Sequence, residues 1–441
     1  MSGGRLLTRV DWSVLDEAGR QSLLERPAVR GAAGLSAAVA DIIADVRTQG
    51  DSALLRLTEK LDGVALREIE VSDAEAQAAR RELAPAAVSA IDTAIANVRA
   101  FHAAQLGRPI RVETVPGVVC ERVPRPLRAV GLYVPAGRAP LPSTAIMLGV
   151  PAALAGCPVR VLCTPPRPDG RADPAVVVAA RACGVQRIFK AGGAQAVAAM
   201  AYGTGSIPKV DKIFGPGNAW VTAAKQAVAL DPAGAALDMP AGPSEVMVIA
   251  DAGANPRFVA IDLLSQAEHG PDSQVLLVTT ASGLVDQVRT EIDALLPTLP
   301  RRDIMAESLL HGAAIVVASL ADAIDVANRY APEHLILQVA EPRRCVEDIW
   351  SAGSVFIGPW TPESVGDYCS GTNHVLPTYG HARAYSGLSL ADFQRQMTLQ
   401  ELTPAGLAAL APTVETLAGL EGLDAHAAAV RLRRSSRMPG P

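Results

Sequence analysis

Apolar residues recur at helical spacing through the first hundred residues of the chain. The segment LSAAVADIIADVRTQGDSALLRLTEKLDG, residues 35–63, places them three and four apart, which is typical of amphipathic helices. The Gly-Asp pair at 50–51 predicts the end of one helix and the start of the next. Residues 71–101 continue the pattern, with Ser72 or Asp73 as the predicted cap. The pattern therefore predicts a helical N-terminal region.

The pattern changes beyond residue 110, where β-forming residues dominate. Residues 111–123 favour two short strands, with a turn at Pro116-Gly117. Residues 129–134, AVGLYV, form a further candidate strand.

From Pro158 onward, short apolar runs alternate with amphipathic segments of helical length. Strands that are apolar throughout, with helices between them, are typical of a parallel sheet covered on both faces. Two such series predict two α/β domains, with a boundary in the Gly- and Pro-rich segment 233–244. The tail from Leu390 is predicted to be helical again, with a basic end. The further predicted strands lie within residues 159–164, 186–190, 210–215, 245–251, 273–280, 313–319, 335–340 and 354–358.

Composition narrows the class of protein. A chain of 441 residues predicts about two to four domains. Its 49% hydrophobic and 19% charged residues exclude wholesale disorder. A net charge of −5 and only 4% aromatic residues argue against a nucleic-acid partner.

Cysteine spacing and the N-terminus suggest a cellular location. The six cysteines include no C-x-x-C pair, so no zinc knuckle or dithiol motif is predicted. The N-terminus lacks the apolar core of a secretion signal, and no apolar run is long enough to span a membrane. We expect a soluble cytoplasmic protein.

Histidine occurs only seven times, mostly in short polar clusters. Gln266 and His269, in LLSQAEHGPD, are three residues apart and would share a helix face. His334, His374 and His426 also lie near acidic or amide residues. Each histidine alone is readily explained as a helix-end or loop residue. Four such clusters favour metal or proton chemistry.

Two further segments carry candidate chemistry. Glu333-His334 precedes a strand, and the two side chains can share proton transfer if the backbone turns there; the alternative is an exposed polar loop. Asp367 begins a glycine-bearing loop that runs to His374, and it would be a hard metal ligand beside His269; the alternative is a turn capped by Asp367.

The C-terminal segment EGLDAH places Glu421 and His426 on either side of a break between helices. A fourth ligand from this remote helix would complete the coordination shell of a metal ion. A helix-capping role for Asp424 accounts for the segment equally well.

Two glycine-bearing turns precede helices. Residues 214–218, FGPGN, and residues 192–195, GGAQ, each follow a predicted strand, and helix N-termini attract phosphate. We expect them at the carboxyl ends of neighbouring strands, with Tyr133 at the end of a third. Trp220 replaces the third glycine of the dinucleotide fingerprint, so an ordinary strand-to-helix turn remains an alternative.

Six strings in the chain are long and specific. They are VDKIFGPGNAWV, LDMPAGPSEVMVIAD, LLSQAEHGPDSQV, APEHL, GDYCSGTNHVLPTYG and ADFQRQMTLQEL. Together they resemble the histidinol dehydrogenase family, in order from about Trp12 to the C-terminal helix. The resemblance implies two Rossmann-like parallel-sheet domains with helical N-terminal and C-terminal extensions, in an intertwined homodimer.

The resemblance also implies an activity. The family oxidises L-histidinol to L-histidine, the last steps of histidine biosynthesis, in two NAD-dependent hydride transfers through a bound aldehyde. It implies one zinc ion per subunit and NAD as co-substrate. A paralogue that oxidises another small polar alcohol, such as a sulfonated diol, is the alternative.

The resemblance further implies roles for individual residues. Glu333 and His334 match the catalytic pair, and Tyr133, Gln195 and Asn218 match the NAD contacts. The implied zinc ligands are Gln266, His269, Asp367 and, from the partner subunit, His426. The implied substrate contacts are Ser244, Gln266, His269, His334, Asp367, His374, Glu421 and His426.

A domain division follows from the resemblance. It predicts an N-terminal arm at 1–27 and a domain that binds substrate and zinc at 28–130 and 245–388. The NAD-binding domain would span 131–244. Residues 389–441 would be a helical segment that contributes to the partner's site.

Cys369 stands where the family often has a small residue. We expect its side chain to pack against its neighbours rather than bind metal.

Overall fold

The structure is a computed structural model that describes residues 6–26, 34–136, 139–240 and 242–435. The end of the basic tail and most of the link between the N-terminal arm and the first long helix lie outside these residues. The chain divides into a larger unit, Met1–Ala104 with Leu127–Phe393, and a smaller unit, Gln105–Pro126 with Gln394–Pro441.

Most of the predicted strands are present in the structure. In chain order the strands are β1 (Thr8–Asp11), β2 (Ile110–Val115), β3 (Val118–Pro126), β4 (Ala129–Tyr133), β5 (Val159–Thr164), β6 (Arg187–Lys190), β7 (Lys212–Phe214), β8 (Ala236–Leu237), β9 (Glu245–Ala250), β10 (Gln274–Thr279), β11 (Ala313–Val316), β12 (His334–Gln338), β13 (Ser354–Ile357) and β14 (Gln394–Leu402).

Helices connect these strands, and in the described part of the chain no helix has the length and apolar character needed to cross a bilayer. The helices are α1 (Glu17–Leu23), α2 (Leu35–Gln49), α3 (Asp51–Asp62), α4 (Asp73–Glu82), α5 (Pro85–Ala103), α6 (Pro142–Leu154), α7 (Pro174–Ala182), α8 (Gly193–Tyr202), α9 (Ala219–Leu230), α10 (Pro256–Ala267), α11 (Ser282–Leu295), α12 (Arg302–Leu310), α13 (Leu320–Tyr330), α14 (Pro342–Cys345), α15 (Glu363–Tyr368), α16 (Pro404–Leu420) and α17 (Asp424–Ser435).

One sheet of the larger unit has six parallel strands in the order β1-β11-β10-β9-β12-β13. Its central strands β9 and β10 are buried along their whole length, because helices cover both faces. Residues of α10, α11 and α12 pack on one face, and Trp12 and α13 pack on the other. The edge strand β1 lies in the predicted N-terminal arm, where the sequence analysis had not identified a strand.

The second sheet of the larger unit has five parallel strands in the order β6-β5-β4-β7-β8. Residues of α2, α3, α8 and α9 pack on one face, and residues of α4 to α7 pack on the other. The helices of residues 35–103 therefore lie against this sheet, although the predicted division grouped them with 245–388. The domain borders themselves stay a prediction.

These two parallel sheets confirm the predicted α/β class with Rossmann-like sheets. One detail of the sequence interpretation is wrong. The turns after β6 and β7 do not follow neighbouring strands, because β5 and β4 lie between them. Hydrophobicity along the chain identifies strands but does not fix their order in a sheet.

The smaller unit contains the antiparallel sheet β14-β3-β2 and the helices α16 and α17. Gly117, with a φ of 82°, allows the predicted turn between β2 and β3. β14 pairs with β3 from Gln394↔Pro126 to Leu402↔Val118. The prediction of helix throughout the tail is thus wrong for β14, because pairing with a strand remote in sequence decided its conformation.

Two stacked rings join the end of the larger unit to its five-stranded sheet. Phe214 and Phe393 are fully buried, with ring centroids 4.1 Å apart and planes 17° from parallel. We expect Phe393→Ala to lower the free energy of unfolding by about 3–5 kcal/mol, because it leaves a cavity and removes the ring contact. Urea unfolding measures the loss.

Phe101 supplies the control for this prediction. Its ring is 48% exposed, so Phe101→Ala removes far less buried surface. If the two variants unfold at the same urea concentration, the buried ring stack does not stabilise the fold as expected.

Candidate active site

The Glu333-His334 pair lies where β12 begins. Helix α13 ends at Tyr330, and Ala331 adopts a left-handed conformation with a φ of 55°. β12 lies between β9 and β13, and His334 pairs with Val246 in the sheet. The turn therefore places Glu333 and His334 beside the amino end of β9.

The peptide groups of Glu245, the first residue of β9, hold both side chains of the pair. The Glu245 N–H donates to Oε2 of Glu333 over 2.8 Å. The Glu245 carbonyl oxygen lies 3.0 Å from Nδ1 of His334 and accepts its proton. Adjacent residues of an extended segment point in opposite directions, but the turn brings both side chains to one residue.

The His334 ring presents one free acceptor. Because Nδ1 carries the proton that Glu245 accepts, Nε2 carries the lone pair. Nε2 is buried, has no hydrogen-bond partner among the described residues, and lies 3.7 Å from Oδ1 of Asp367. Burial lowers the pKa of His334 to about 3, so the ring is neutral near pH 7. A buried neutral imidazole with an unpartnered nitrogen is suited to accept a proton.

Glu333 is a buried carboxyl group beside this ring. Its Oε2 lies 3.7 Å from Nδ1 of His334. Burial raises the pKa of Glu333 well above its ordinary value, although the hydrogen bond from Glu245 opposes that effect. A carboxylate of raised pKa is a stronger base than an exposed one, which suits it to take a proton from water.

A group of potential metal ligands lies close to His334. One ligand atom from each of His269, Glu363 and Asp367 lies within 4.8 Å of the other two. Glu363 and Asp367 are one helical turn apart on α15 and share a face. His269 follows the end of α10, and its N–H donates to the carbonyl of Gln266 over 3.2 Å. The structure thus brings Gln266, His269 and Asp367 together, as predicted.

The amide of Gln266 has one orientation that suits its neighbours. With its nitrogen facing Glu245 and Glu363, it donates to the Glu245 carbonyl over 3.2 Å and to Glu363 Oε1 over 3.0 Å. Its oxygen then lies 3.2 Å from Nδ1 of His269. If this oxygen accepts the Nδ1 proton of His269, Nε2 of that ring carries the lone pair that can bind a metal.

The electrostatics of this group fit a bound cation. Glu363 is fully buried and Asp367 is half-buried, without an Arg or Lys ion pair to either among the described residues. Burial raises the pKa of Asp367 to about 6 and that of Glu363 well above its ordinary value. Buried carboxylates disfavour ionisation unless positive charge compensates it. A mixed set of imidazole and oxygen ligands is one that zinc accepts.

Two other predicted substrate contacts lie nearby. Ser244 immediately precedes β9. His374 contacts the Asp367 carbonyl through Nδ1 at 2.7 Å and Thr144 Oγ1 through Nε2 at 3.3 Å. His374 is therefore tied to the backbone of a predicted metal ligand.

Glu421 and His426 belong to the smaller unit. Glu421 caps the end of α16, and His426 lies in the first turn of α17; both side chains are exposed. Their predicted roles at a shared site stay predictions.

Tyr133 connects the two predicted cofactor turns. Its buried ring ends β4, and its hydroxyl accepts the Gly193 N–H over 3.0 Å. Gly215, after β7, has a φ of 122°, and a Cβ there would lie 2.2 Å from the Tyr133 carbonyl oxygen. Only glycine fits this close approach. The tyrosine ring is part of the core, so its hydroxyl and carbonyl are the groups that shape the turns.

A buried ion pair fixes the turn at Gly215. Lys225 pairs with Asp238, and both side chains are almost fully buried. Asp238 accepts the Gly215 N–H over 2.8 Å, and Lys225 donates to the Gly215 carbonyl over 2.9 Å. The backbone of this turn is thus held in place before any ligand binds.

Gln195 and Asn218 lie at the starts of the helices that follow the two turns. Oε1 of Gln195 is buried and has no hydrogen-bond partner among the described residues. Asn218 caps α9 and accepts the N–H groups of Trp220 and Val221. An unpartnered acceptor and two helix N-termini are features of a site that binds a polar ligand.

Comparison with known proteins assigns the family. The histidinol dehydrogenase family model matches residues 25–434. The histidinol dehydrogenase of Xanthomonas euvesicatoria pv. vesicatoria (strain 85-10) is 57% identical over 424 residues, which cover 96% of this chain and 98% of that protein. That of Photobacterium profundum is 56% identical over 424 residues, 96% of this chain and 95% of that one.

A solved structure agrees. The crystal structure of histidinol dehydrogenase from Elizabethkingia anophelis superposes with a TM-score of 0.94 at 45% identity, covering 98% of this chain and 99% of that one. The chain belongs to the histidinol dehydrogenase family. The alternative of a paralogue for another small polar alcohol finds no support in these comparisons.

Two buried acids at the site, Glu245 and Glu363, were not among the predicted site residues. Glu363 lies four residues before Asp367, but the sequence analysis expected a loop at Asp367, and only the helix α15 gives that spacing a shared face. Glu245 begins a predicted apolar strand, and an acid in such a strand is uncommon enough to have drawn notice.

The Gly215 turn generates a prediction for cofactor binding. We expect Gly215→Ala to weaken NADH binding roughly tenfold to a hundredfold, because about 1–3 kcal/mol of backbone strain and a clash with Tyr133 displace the turn. Fluorescence titration with NADH measures the change.

Gly156 is the matched control for this variant. It also has a positive φ, 83°, but a Cβ there meets nothing within 4 Å. Gly156→Ala should leave NADH affinity unchanged. Equal affinity in the Gly215→Ala variant and the unaltered chain would contradict a role for this turn.

Proposed function

We propose that this chain oxidises L-histidinol to L-histidine with two molecules of NAD, through L-histidinaldehyde that stays bound. The observation that carries the proposal is the pairing of a neutral buried imidazole, His334, with a buried carboxyl group, Glu333, on one backbone residue. Oxidation of an alcohol to an acid needs a base in each half and a water activated in the second.

In the first half, Nε2 of His334 accepts the hydroxyl proton of the alcohol. The carbinol carbon releases a hydride to NAD, and the carbon–oxygen bond becomes the double bond of the aldehyde. The low pKa of the buried His334 keeps Nε2 unprotonated before substrate binds.

In the second half, Glu333 takes a proton from water as the water oxygen bonds to the aldehyde carbon. His334 returns the proton it took in the first half to the aldehyde oxygen, which gives the hydrate and leaves Nε2 free again. His334 then accepts a hydroxyl proton of the hydrate while a second hydride passes to NAD. The carboxylate of histidine results, and two NADH form for each histidine. Both protein bases act from fixed positions, so neither half requires a new arrangement of the site.

We propose zinc as the metal, with Gln266, His269 and Asp367 of one subunit and His426 of the partner subunit as ligands. The close group of His269, Asp367 and Glu363 supports the donor set. When bound, zinc would hold the amino and imidazole nitrogens of the substrate and so fix the reacting carbon. Glu363 adds a buried negative charge beside these ligands.

Further contacts follow from the same proposal. Ser244, His374 and Glu421 would bind the substrate, together with the ligands and His334. Tyr133, Gln195 and Asn218 would shape and contact the NAD site, on the domain proposed for residues 131–244. The buried, unpartnered Oε1 of Gln195 supports this assignment.

We propose a homodimer in which each site uses both chains. The smaller unit exposes many apolar side chains for its size, and exposed apolar surface of this kind marks protein interfaces. Glu421 and His426 lie in this unit and are exposed. The large exposed apolar residues in the described part of this unit are Leu106, Ile110, Val112, Met397, Leu399, Leu402, Leu417, Leu420, Leu423 and Leu432.

We also propose the cytoplasm as the compartment. The six cysteines are all free, and four of them are buried, as in proteins of a reducing environment.

The reaction has a stoichiometry that tests the proposal directly. With histidinol and excess NAD, we expect two NADH for each histidine, measured by NADH absorbance and amino-acid analysis. A chelator should stop turnover, and added zinc should restore it. One NADH per product molecule, with aldehyde released, would refute the four-electron reaction.

Shared sites make a second prediction. His426→Ala and Glu333→Gln chains should each be inactive as homodimers. After the two are dissociated and mixed, random pairing should restore about a quarter of wild-type activity, because half the dimers then hold one intact site of two. Mixing experiments with separately tagged chains verify that heterodimers form. Inactive heterodimers would contradict the sharing of sites.

A further inference from the structure

A buried ion pair lies behind the Glu333-His334 pair. Arg26 follows α1, and its side chain is 10% exposed. Its Nε donates to Oε1 of Glu245 over 2.5 Å, and its Nη2 donates to Oε2 over 2.9 Å. The carboxylate of Glu245 is fully buried. The two side chains thus form a two-point contact that fixes direction as well as distance.

Arg26 also holds the chain that leads into the catalytic pair. Its Nη2 donates to the carbonyl of Tyr330 over 2.9 Å and lies 3.4 Å from that of Ala331. The guanidinium lies over the Tyr330 ring, 3.9 Å from its centroid. These contacts lie at the left-handed turn that directs Glu333 toward β9.

Glu245 receives a third contact from another segment. The Tyr379 N–H donates to its Oε1 over 2.9 Å. Three parts of the larger unit therefore meet at this one carboxylate, while the peptide groups of Glu245 bind Glu333 and His334. Any shift of Glu245 moves the partners of both side chains together.

We propose that Arg26 and Glu245 are positioning residues for catalysis, which set the orientation of Glu333 and His334 without touching the substrate. The inference rests on the roles proposed above for that pair. Arg26 connects the two backbone segments that define the pair's geometry, the start of β9 and the turn before β12.

Stability alone does not require a charged pair at this place. A buried ion pair costs desolvation on both partners, and well-packed apolar residues often stabilise a fold as much or more. The directional contacts of Arg26 with a carboxylate and two carbonyls supply what apolar packing does not, a defined angle between two backbone segments.

The test begins with Arg26→Met, which keeps much of the side-chain volume and removes every donor. We expect kcat to fall about tenfold to a hundredfold, as small displacements of reacting groups cause. The KM for histidinol should change far less, because Arg26 lies behind the catalytic pair. Arg26→Lys should give an intermediate kcat, since one ammonium group restores the charge but not the two-point contact.

A double variant separates positioning from stability. Arg26→Met alone leaves the Glu245 carboxylate buried without its partner, so its Tm should fall. Adding Glu245→Gln removes that charge, and the Tm should rise again. We expect kcat to stay low in the double variant, because the contacts to Tyr330 and Ala331 are still missing. Recovery of kcat together with Tm would overturn the proposal, as the pair would then act only through stability.

Arg187 supplies a control pair of similar geometry. Its Nε and Nη2 contact the two carboxylate oxygens of Glu70 at 3.0 and 2.9 Å, and its Nη2 donates to the Ser206 carbonyl over 2.8 Å. This pair lies at β6, on the edge of the other sheet. The two side chains are 43% and 41% exposed, so Arg187→Met should lower Tm only slightly and leave kcat unchanged. A kcat loss equal to that of Arg26→Met would count against specific positioning.

Two further variants distinguish this inference from the proposal on which it rests. Glu333→Gln and His334→Ala should each lose far more activity than Arg26→Met. If they retain full activity, the catalytic roles fail. If they lose activity while Arg26→Met and Glu245→Gln retain full kcat, only the positioning role fails. Should Arg26→Met not fold, Arg26→Lys and Glu245→Gln provide the same comparison.

Discussion

Buried acidic side chains near the amino ends of β9 and β12 constrain the residues around them. Glu245, Glu333 and Glu363 are almost fully buried, and each needs compensation. Glu245 has the guanidinium of Arg26, and Glu333 has a backbone N–H. Glu363, beside the half-buried Asp367, has the Gln266 amide and, in the proposed enzyme, a zinc ion. Each acid thus acquires a different compensating group, and from it a different chemical role.

The periodicity of the chain was sufficient to predict most of the fold. Central strands such as β9 and β10 are apolar throughout because helices cover both faces, so they were visible as continuous runs. Gln266 was predicted to share a helix face with His269, and Asp367 to lie beside that histidine, and the structure brings the three together. Proton transfer at Glu333-His334 and metal binding at Asp367 were among the readings of the residues themselves, but the full set of roles came from family resemblance.

What the sequence could not provide was pairing between remote segments. Nothing local shows that Arg26 reaches Glu245, which is 219 residues away. Likewise β14 becomes a strand only because β3 offers it a partner. The helices of residues 35–103 are amphipathic, but their apolar faces do not specify which of two sheets they cover. Such choices depend on tertiary packing, which competes with local propensity and often decides against it.

The pairing of β14 with β3 has a consequence for biosynthesis. The smaller unit is assembled from Gln105–Pro126 and Gln394–Pro441, and the longer part of the larger unit, Leu127–Phe393, is translated between them. During synthesis β3 therefore emerges long before β14 exists. The Leu127 N–H bonds to the Phe393 carbonyl over 2.9 Å, so folding of the larger unit itself brings the two junctions together and shortens the effective loop. Nascent chains must keep the edge of β3 from pairing elsewhere until β14 has been made, so the late arrival of β14 is what protects this edge from aggregation.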